Sequence, residues 1–282
     1  MVSDFHNEIR GQQKESWNKF SVGWEKWDNV IMNFLKPMGQ SMIEYLQPQN
    51  CKTILDIAAG TGEPGLTMAE MMKTGTVTIT DLAEEMLVVA KEKAKRRKIN
   101  NIETGVCDVS LMPYHNEKFD AVSCRFGFMF FPDMQLAANE MARVLNRKGR
   151  LTAAVWSSPE KNFWVTATMG TIMQMLELTA PPPEMPGMFR CCKPGRMKEI
   201  FERAGFKNIK EKEVTSLLEI DTAEKYWEMM TDVGAPIVAA LKQADDEMKS
   251  RIRDTVINLI KSKYPGYVAI EGNAIIITAE KD

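Results

Sequence analysis

Apolar and polar positions along the chain change their period several times. Between residues 15 and 46 the large side chains Trp17, Phe20, Trp24, Trp27, Ile31, Phe34 and Leu35 recur every three or four positions. That spacing predicts helices, with Pro37 as the expected kink or break. Pro48 closes this segment, and the apolar run at 52–57 predicts a buried strand. Strand and helix patterns then alternate: a helix over 63–72, a strand over 77–81, and a helix opened by the capping-like DLAEEML and running through Lys95. Strands follow over 102–107 and 119–126, then a helix over 133–145 and a strand over 150–156. Alternation at this spacing predicts a doubly wound α/β domain with a parallel sheet.

After Trp156 the pattern changes. An apolar helix is predicted over 162–178, then a proline-rich loop, TAPPPEMPG, over 179–187. A helix over 194–204 stops at Gly205, a strand covers 208–216, residues 222–262 are again helical, and AIIITAE at 274–280 is the final strand. The expected organisation is an N-terminal helical cover over 1–48 and a core over 49–282. Helical insertions at 157–205 and 222–265 are expected to form a substrate lid over the ligand end of the sheet.

Chemistry concentrates in TILDIAAGTGEPG, residues 53–65. Here a strand ends in Asp56 and runs into Gly60, Gly62 and Gly65, the signature of a glycine-rich turn that opens a helix. Glycine lets the backbone approach a ligand closely because it carries no Cβ. The next two predicted strands also end in acids, Asp81 and Asp108. In a parallel sheet these ends lie side by side along one edge, where open α/β sheets bind nucleotides. Asp81 stands about 20 residues beyond the glycine turn, where a carboxylate can accept both ribose hydroxyls. Asp108 can accept from an amino-substituted purine. Each acid alone is also an ordinary helix cap or turn residue; the three with the glycine turn describe a nucleoside cradle.

The pattern resembles the class I S-adenosylmethionine-dependent methyltransferases over roughly residues 15–216, most nearly the ubiquinone/menaquinone-biosynthesis enzymes and related bacterial small-molecule methyltransferases. ILDIAAGTG matches that family's cofactor motif, TDLAEEML its ribose motif and VCDVSLMPY its adenine motif; FDAVSCRFGFMFFPD, EMARVLNRKGRL and AAVW look like the strand, helix and strand that follow. The resemblance implies a Rossmann-like seven-stranded sheet of order 3-2-1-4-5-7-6, last strand antiparallel, and S-adenosyl-L-methionine as cofactor. It implies that Gly60 and Gly62 approach the methionine end, that Asp56 orders the turn and the cofactor's amino group, and that Asp81 holds the ribose with Leu82 against the adenine. Asp108 and Val109 would read the adenine edge, Cys124 and Arg125 would border the sulfonium, and Met86 completes the expected cofactor set. Ala58 stands where the family has its first glycine, and is tolerated if its φ is negative.

Composition bears on the acceptor. The chain has 282 residues, 44% of them hydrophobic and 26% charged, with 36 Lys and Arg against 38 acids. A net charge of −2 and the absence of a basic arm disfavour nucleic acid, as does SCRFGFMF where amino-methylating DNA enzymes carry an N/D-P-P-Y/F run. No apolar run is long enough to span a bilayer, and the polar start lacks a signal-peptide pattern. The five cysteines fit a reducing cytoplasm. Cys191 and Cys192 are either incidental loop thiols or a soft-metal pair awaiting a third thiolate; no metal is expected. The aromatic and methionine-rich covers, with Trp24, Phe126, Phe128, Trp164 and Phe189 as candidate contacts, favour a small, partly hydrophobic acceptor. No general base stands out: His115 lies in a polar loop, His6 in an N-terminal tail, and Tyr45, Tyr226 and Glu63 are the other possibilities. The expected reaction is in-line methyl transfer, by a monomer or homodimer. Alternatives are a non-catalytic S-adenosylmethionine-binding module and an NAD-dependent oxidoreductase, the latter disfavoured because AAGTGEPG lacks the GxGxxG spacing.

Overall fold

The computed structural model describes residues 4–179 and 181–282. Residues 1–3 of the expected N-terminal cover and Ala180 of the proline-rich loop lie outside the described residues. Strands β1 (Thr53–Ile57), β2 (Thr76–Asp81), β3 (Ile102–Val106), β4 (Phe119–Arg125), β5 (Leu145–Trp156), β6 (Phe206–Ile220) and β7 (Val268–Lys281) form one sheet. Its order is β3-β2-β1-β4-β5-β7-β6. All pairs from β3 to β5 are parallel, and β7 runs antiparallel to both of its neighbours. The expected topology is thus observed. The register sets Asp56 beside Ile79 of β2 and Ser123 of β4, so the C-terminal ends of these three strands are level.

Helices α1 (Asp4–Lys26) and α2 (Asp28–Leu46) precede the sheet. Within it come α3 (Gly65–Met71), α4 (Glu84–Arg96), α5 (Met134–Val144), α6 (Phe163–Met175) and α7 (Arg196–Arg203). Helices α8 (Ala223–Val233), α9 (Ala235–Leu241) and α10 (Asp246–Lys263) lie between β6 and β7. Successive β1 side chains point to opposite faces. Ile54 joins the smaller core with Leu46, Leu66, Ile79 and Leu87, while Leu55 and Ile57 join the larger one with Val122, Phe128 and Phe201.

Several boundaries differ from the sequence pattern. The first helix begins at Asp4, not near residue 15, because its polar first turns are held by partners elsewhere in the chain rather than by an apolar stripe of their own. His6 therefore belongs to a helix and not to a tail. The break in the N-terminal helices falls at Trp27, and Pro37 sits inside α2. At that break the Trp27 indole donates to Asp232 Oδ2 at 2.9 Å, an anchor outside the local sequence. The helical block at 222–262 is three helices, interrupted at Gly234 and restarted where Asp245 accepts from Met248 N. Strand β6 is longer than its apolar pattern because most of its outer residues are charged and exposed.

Both helical covers interlock. Lys26 pairs with Glu228 and Asp232 at 2.6 and 2.7 Å. Gly23 brings α1 so close to α8 that an added Cβ would lie 2.0 Å from the Asp232 carbonyl oxygen. Buried Lys93 of α4 reaches Asp28 of α2 at 2.7 Å, fastening the N-terminal helices to the glycine-turn half of the sheet.

Candidate functional site

The glycine turn between β1 and α3 is built around two carboxylates. Asp56 is fully buried. Its Oδ1 accepts from Ser123 Oγ at 2.5 Å and its Oδ2 from Gly65 N at 2.9 Å. Burial pushes this carboxyl up to about 7, against the lowering effect of Ser123, Arg125 and Gly65. Asp56 therefore orders the turn, as expected, but both of its oxygens are engaged inside the protein. Ala58 at the first-glycine position has φ +51, not the negative value expected, so its methyl group sits in the left-handed region.

Asp81 bridges the ends of β1 and β2. Its Oδ2 accepts from Gly60 N at 2.9 Å and its Oδ1 from Ala83 N at 2.8 Å. Burial raises its pKa and these backbone donors oppose the rise. Gly60 is left-handed at φ +55, and nothing lies within 4 Å of where its Cβ would point. Beside it Thr61 is buried with its Oγ1 unpartnered. An open glycine face, a half-buried carboxylate and an orphan hydroxyl together form a cradle with unmet polar capacity. Leu82 is half-buried next to it, Met86 is buried on α4, and Val109 is buried in the larger core.

Asp108 is not left open as a base-reading acceptor. Its Oδ2 pairs with Arg10 Nε of α1 at 2.7 Å and its Oδ1 accepts from Ser110 N at 2.8 Å. Arg10 also donates to Ser110 Oγ at 3.0 Å. Helix α1 thus crosses the end of β3 and clamps the expected adenine acid.

At the end of β4, Cys124 is buried in the larger core and burial pushes its thiol up. Arg125 points the other way. Its Nη2 donates to Met32 Sδ at 3.5 Å, and burial pulls its pKa below the usual arginine value. Phe126, at φ +60, stacks on Trp156 with ring centroids 4.2 Å apart. Phe34 and Trp164 complete that aromatic group. Phe128 is a correction: it is fully buried between Phe131 and Phe201, so it is core and offers no ligand surface. Trp24 is half-buried on α1 with its indole N–H buried and unpartnered; beside it Trp17 stacks edge-on against Phe130 of the turn after β4. Phe189 is half-buried in the segment after the proline-rich loop, which Gly187 N ties to Met129 O at 3.2 Å.

Of the candidate bases, Glu63 stands at this edge, in the glycine turn itself and close enough to Arg125 to act on its charge, whereas the others lie elsewhere. Tyr226 is fully buried and donates to the Trp164 carbonyl oxygen at 2.7 Å, and burial raises its pKa. Glu63 is committed to Arg97 and Thr67. Tyr45 donates to Ala279 O at 3.1 Å near the C-terminal end of β7, and its own carbonyl accepts from Arg150 of β5. His115 is exposed and contacts Asn116 O. Cys191 is buried against Met134 Sδ at 3.5 Å with its thiol pushed up to about 12. Among the described residues no group of three His, Cys, Asp or Glu could hold a metal. Sequence reasoning missed Arg10, Thr61 and Ser123. Ser123 was findable, since it shares a strand face with Arg125 one strand from Asp56; Arg10 carries no local signal.

Residues 54–149 match a family model described as a methyltransferase domain. Among curated proteins, the demethylmenaquinone methyltransferase of Listeria monocytogenes is 27% identical over 211 residues, covering 69% of this chain and 86% of that protein. A crystal structure from Bacillus halodurans, described as a proposed methyltransferase, superposes with TM-score 0.55 at 21% identity, over 86% of this chain and 98% of that one. Phosphoethanolamine N-methyltransferase 2 of Haemonchus contortus, solved with S-adenosyl-L-methionine, superposes with TM-score 0.56 at 17% identity, over 99% of this chain and 60% of that one. At these identities the structural likenesses speak to the fold.

Proposed function

We propose that this chain is a class I S-adenosylmethionine-dependent methyltransferase that uses S-adenosyl-L-methionine to methylate a small, partly hydrophobic acceptor, a reading supported by the methyltransferase-domain match over residues 54–149 and the likeness to demethylmenaquinone methyltransferases. The observation that carries the reading is Asp81. Its carboxylate spans Gly60 N and Ala83 N at the level ends of β1 and β2, beside an open glycine face and the orphan Thr61 hydroxyl. In this reading Asp81 holds the ribose hydroxyls, Leu82 flanks the adenine, and Gly60 and Thr61 hold the methionine end, with Gly62 and Ala58 shaping the turn. Asp56 acts one layer below, fixing that turn through Gly65. Asp108 keeps a place at the adenine edge only together with Arg10.

When bound, the cofactor supplies an electrophilic methyl group on a sulfonium. The protein's part is to position an acceptor atom in line with it and to exclude water, which supplies much of the rate. Arg125 borders the reacting region, and Trp24, Trp17 and Phe130 line the side covered by α1. Phe126, Trp164 and Phe189 close the side covered by the segments after β4 and β5. Glu63, the candidate base at this edge, is paired with Arg97, and in this reading the acceptor's own acidity supplies its nucleophile. Likeness to demethylmenaquinone methyltransferases supports a hydrophobic ring as the acceptor.

The test has two stages. Calorimetry should show binding of S-adenosyl-L-methionine and S-adenosylhomocysteine to the full chain. Labelled methyl transfer into a metabolite extract should then mark a low-mass compound that partitions into organic solvent. Label confined to nucleic acid or protein would overturn the acceptor class while leaving the cofactor untouched.

A further inference from the structure

A second concave surface shares no lining residue with the cradle. A cleft of about 410 Å³ is lined by His6 of α1, by residues Pro132 to Gln135 at the start of α5, and by α7 with the loop leading into it. Four of its residues are cationic, Arg190, Lys193, Arg196 and Arg203, against two acids, Asp133 and Glu199. Asp133 is already committed, since its Oδ1 accepts from Leu136 N at 2.9 Å as the cap of α5.

The two inner arginines are held differently: Arg190 by backbone, and Arg196 by a glutamate that does not line the cleft. Arg190 donates to the carbonyl oxygens of Phe131 at 2.5 Å and Pro132 at 3.3 Å, so backbone rather than a counter-ion fixes it. Arg196 pairs with Glu184 at 2.6 Å, a glutamate that is 74% exposed. The Nε of each arginine is buried without a hydrogen-bond partner. Burial holds Arg190 below the usual arginine value, and the nearby charge of Arg196 adds to that lowering. Lys193 and Arg203 stand at the rim, exposed, and neither takes part in an ion pair among the described residues.

Like charges gathered around a cleft with unmet donors are costly unless an anion bridges them. A phosphate presents several acceptor oxygens in the geometry that guanidinium forks match. We propose that this cleft binds a phosphate monoester or diphosphate group, at a site separate from the cofactor cradle. Its volume suits a group carried on a larger molecule. Arg190 and Gly187 also tie this segment to the turn after β4, through Phe131 O and Met129 O, so an anion bound here would fasten the segment that carries Phe189. The site does not depend on the identity of the methyl acceptor.

Two probes distinguish the source of the phosphate. Inorganic pyrophosphate is titrated into the full chain by calorimetry at constant ionic strength, with chloride as the matched control. Vesicles of phosphatidylcholine with and without phosphatidic acid are tested by co-sedimentation. Saturable binding in either arm is expected, weakened about tenfold or more in the Lys193→Ala/Arg203→Ala double variant, while binding of S-adenosylhomocysteine is unchanged. Pyrophosphate binding assigns the group to a soluble molecule; binding only to phosphatidic acid vesicles assigns it to a lipid headgroup. Binding in neither arm, or equal binding by the double variant, overturns the proposal. Retained S-adenosylhomocysteine binding shows that the variant is folded.

Discussion

Individual carboxylates of the same type play different parts here, and their partners decide which. Asp81 keeps its oxygens on backbone donors at an open edge. Asp81→Ala should therefore weaken S-adenosylhomocysteine binding by well over tenfold in calorimetry, since a charged, two-point hydrogen bond is lost; an unchanged Kd would remove Asp81 from the site. Asp56 is a structural acid, pushed up to about 7 by burial. The folded chain then holds this proton more tightly than the unfolded chain, whose carboxyl titrates near pH 4. Its contribution to stability is full below that value and is lost as the pH rises through about 7. Asp56→Asn can still accept from Gly65 N and donate to Ser123 Oγ. Its unfolding free energy in urea should fall less steeply between about pH 4 and 7 than that of the parent; an identical slope would clear Asp56 of the effect. Ala58, left-handed at φ +51, carries a methyl group in a region that costs a non-glycine residue about 1–2 kcal/mol. Ala58→Gly should stabilise the chain by roughly 0.5–1 kcal/mol after the added freedom of the unfolded state is counted, measured by denaturant titration. The sign of that φ was not legible in the sequence, because alanine says nothing by itself about the turn it occupies.

Among elements, the central alternation was legible because each strand and helix carries its own period, turn residues and length. The ends of the chain were not. The first turns of α1 are polar and take their support from outside, through Arg10 to Asp108 and Ser110. Gly23 shows the same at the other end of α1. Its lack of a side chain reads locally as a helix weakness, yet it is what lets α1 touch the end of α8. Gly23→Ala should force the two helices apart and lower stability by roughly 1–3 kcal/mol, seen as a drop of several degrees in Tm. Amide exchange should accelerate in α1 and α8 before α3. Uniform acceleration, or no change in Tm, would mean that the backbone approach is not a constraint.

At the scale of the whole molecule, the N-terminal helices, the helices between β6 and β7, and the glycine-turn edge form one connected arrangement. Asp232, Asp28 and Asp108 each anchor a different join of it. If α1 encloses the cofactor, Arg10→Ala should speed release of S-adenosylhomocysteine by up to about fivefold, the size expected for a partly exposed ion pair. Stopped-flow displacement measures this; an unaltered rate would show that the clamp is not part of cofactor retention. By itself the sequence determined the order of strands and helices, the glycine turn, and the placing of acids at three strand ends, because periodicity and turn chemistry act over a few neighbouring residues. Tertiary structure alone decided what each acid does. Ser123 takes up Asp56 across 67 positions, and Arg10 reaches Ser110, beside Asp108, across 100. Contacts made over such separations are chosen by packing, and packing leaves no mark on either partner's local sequence.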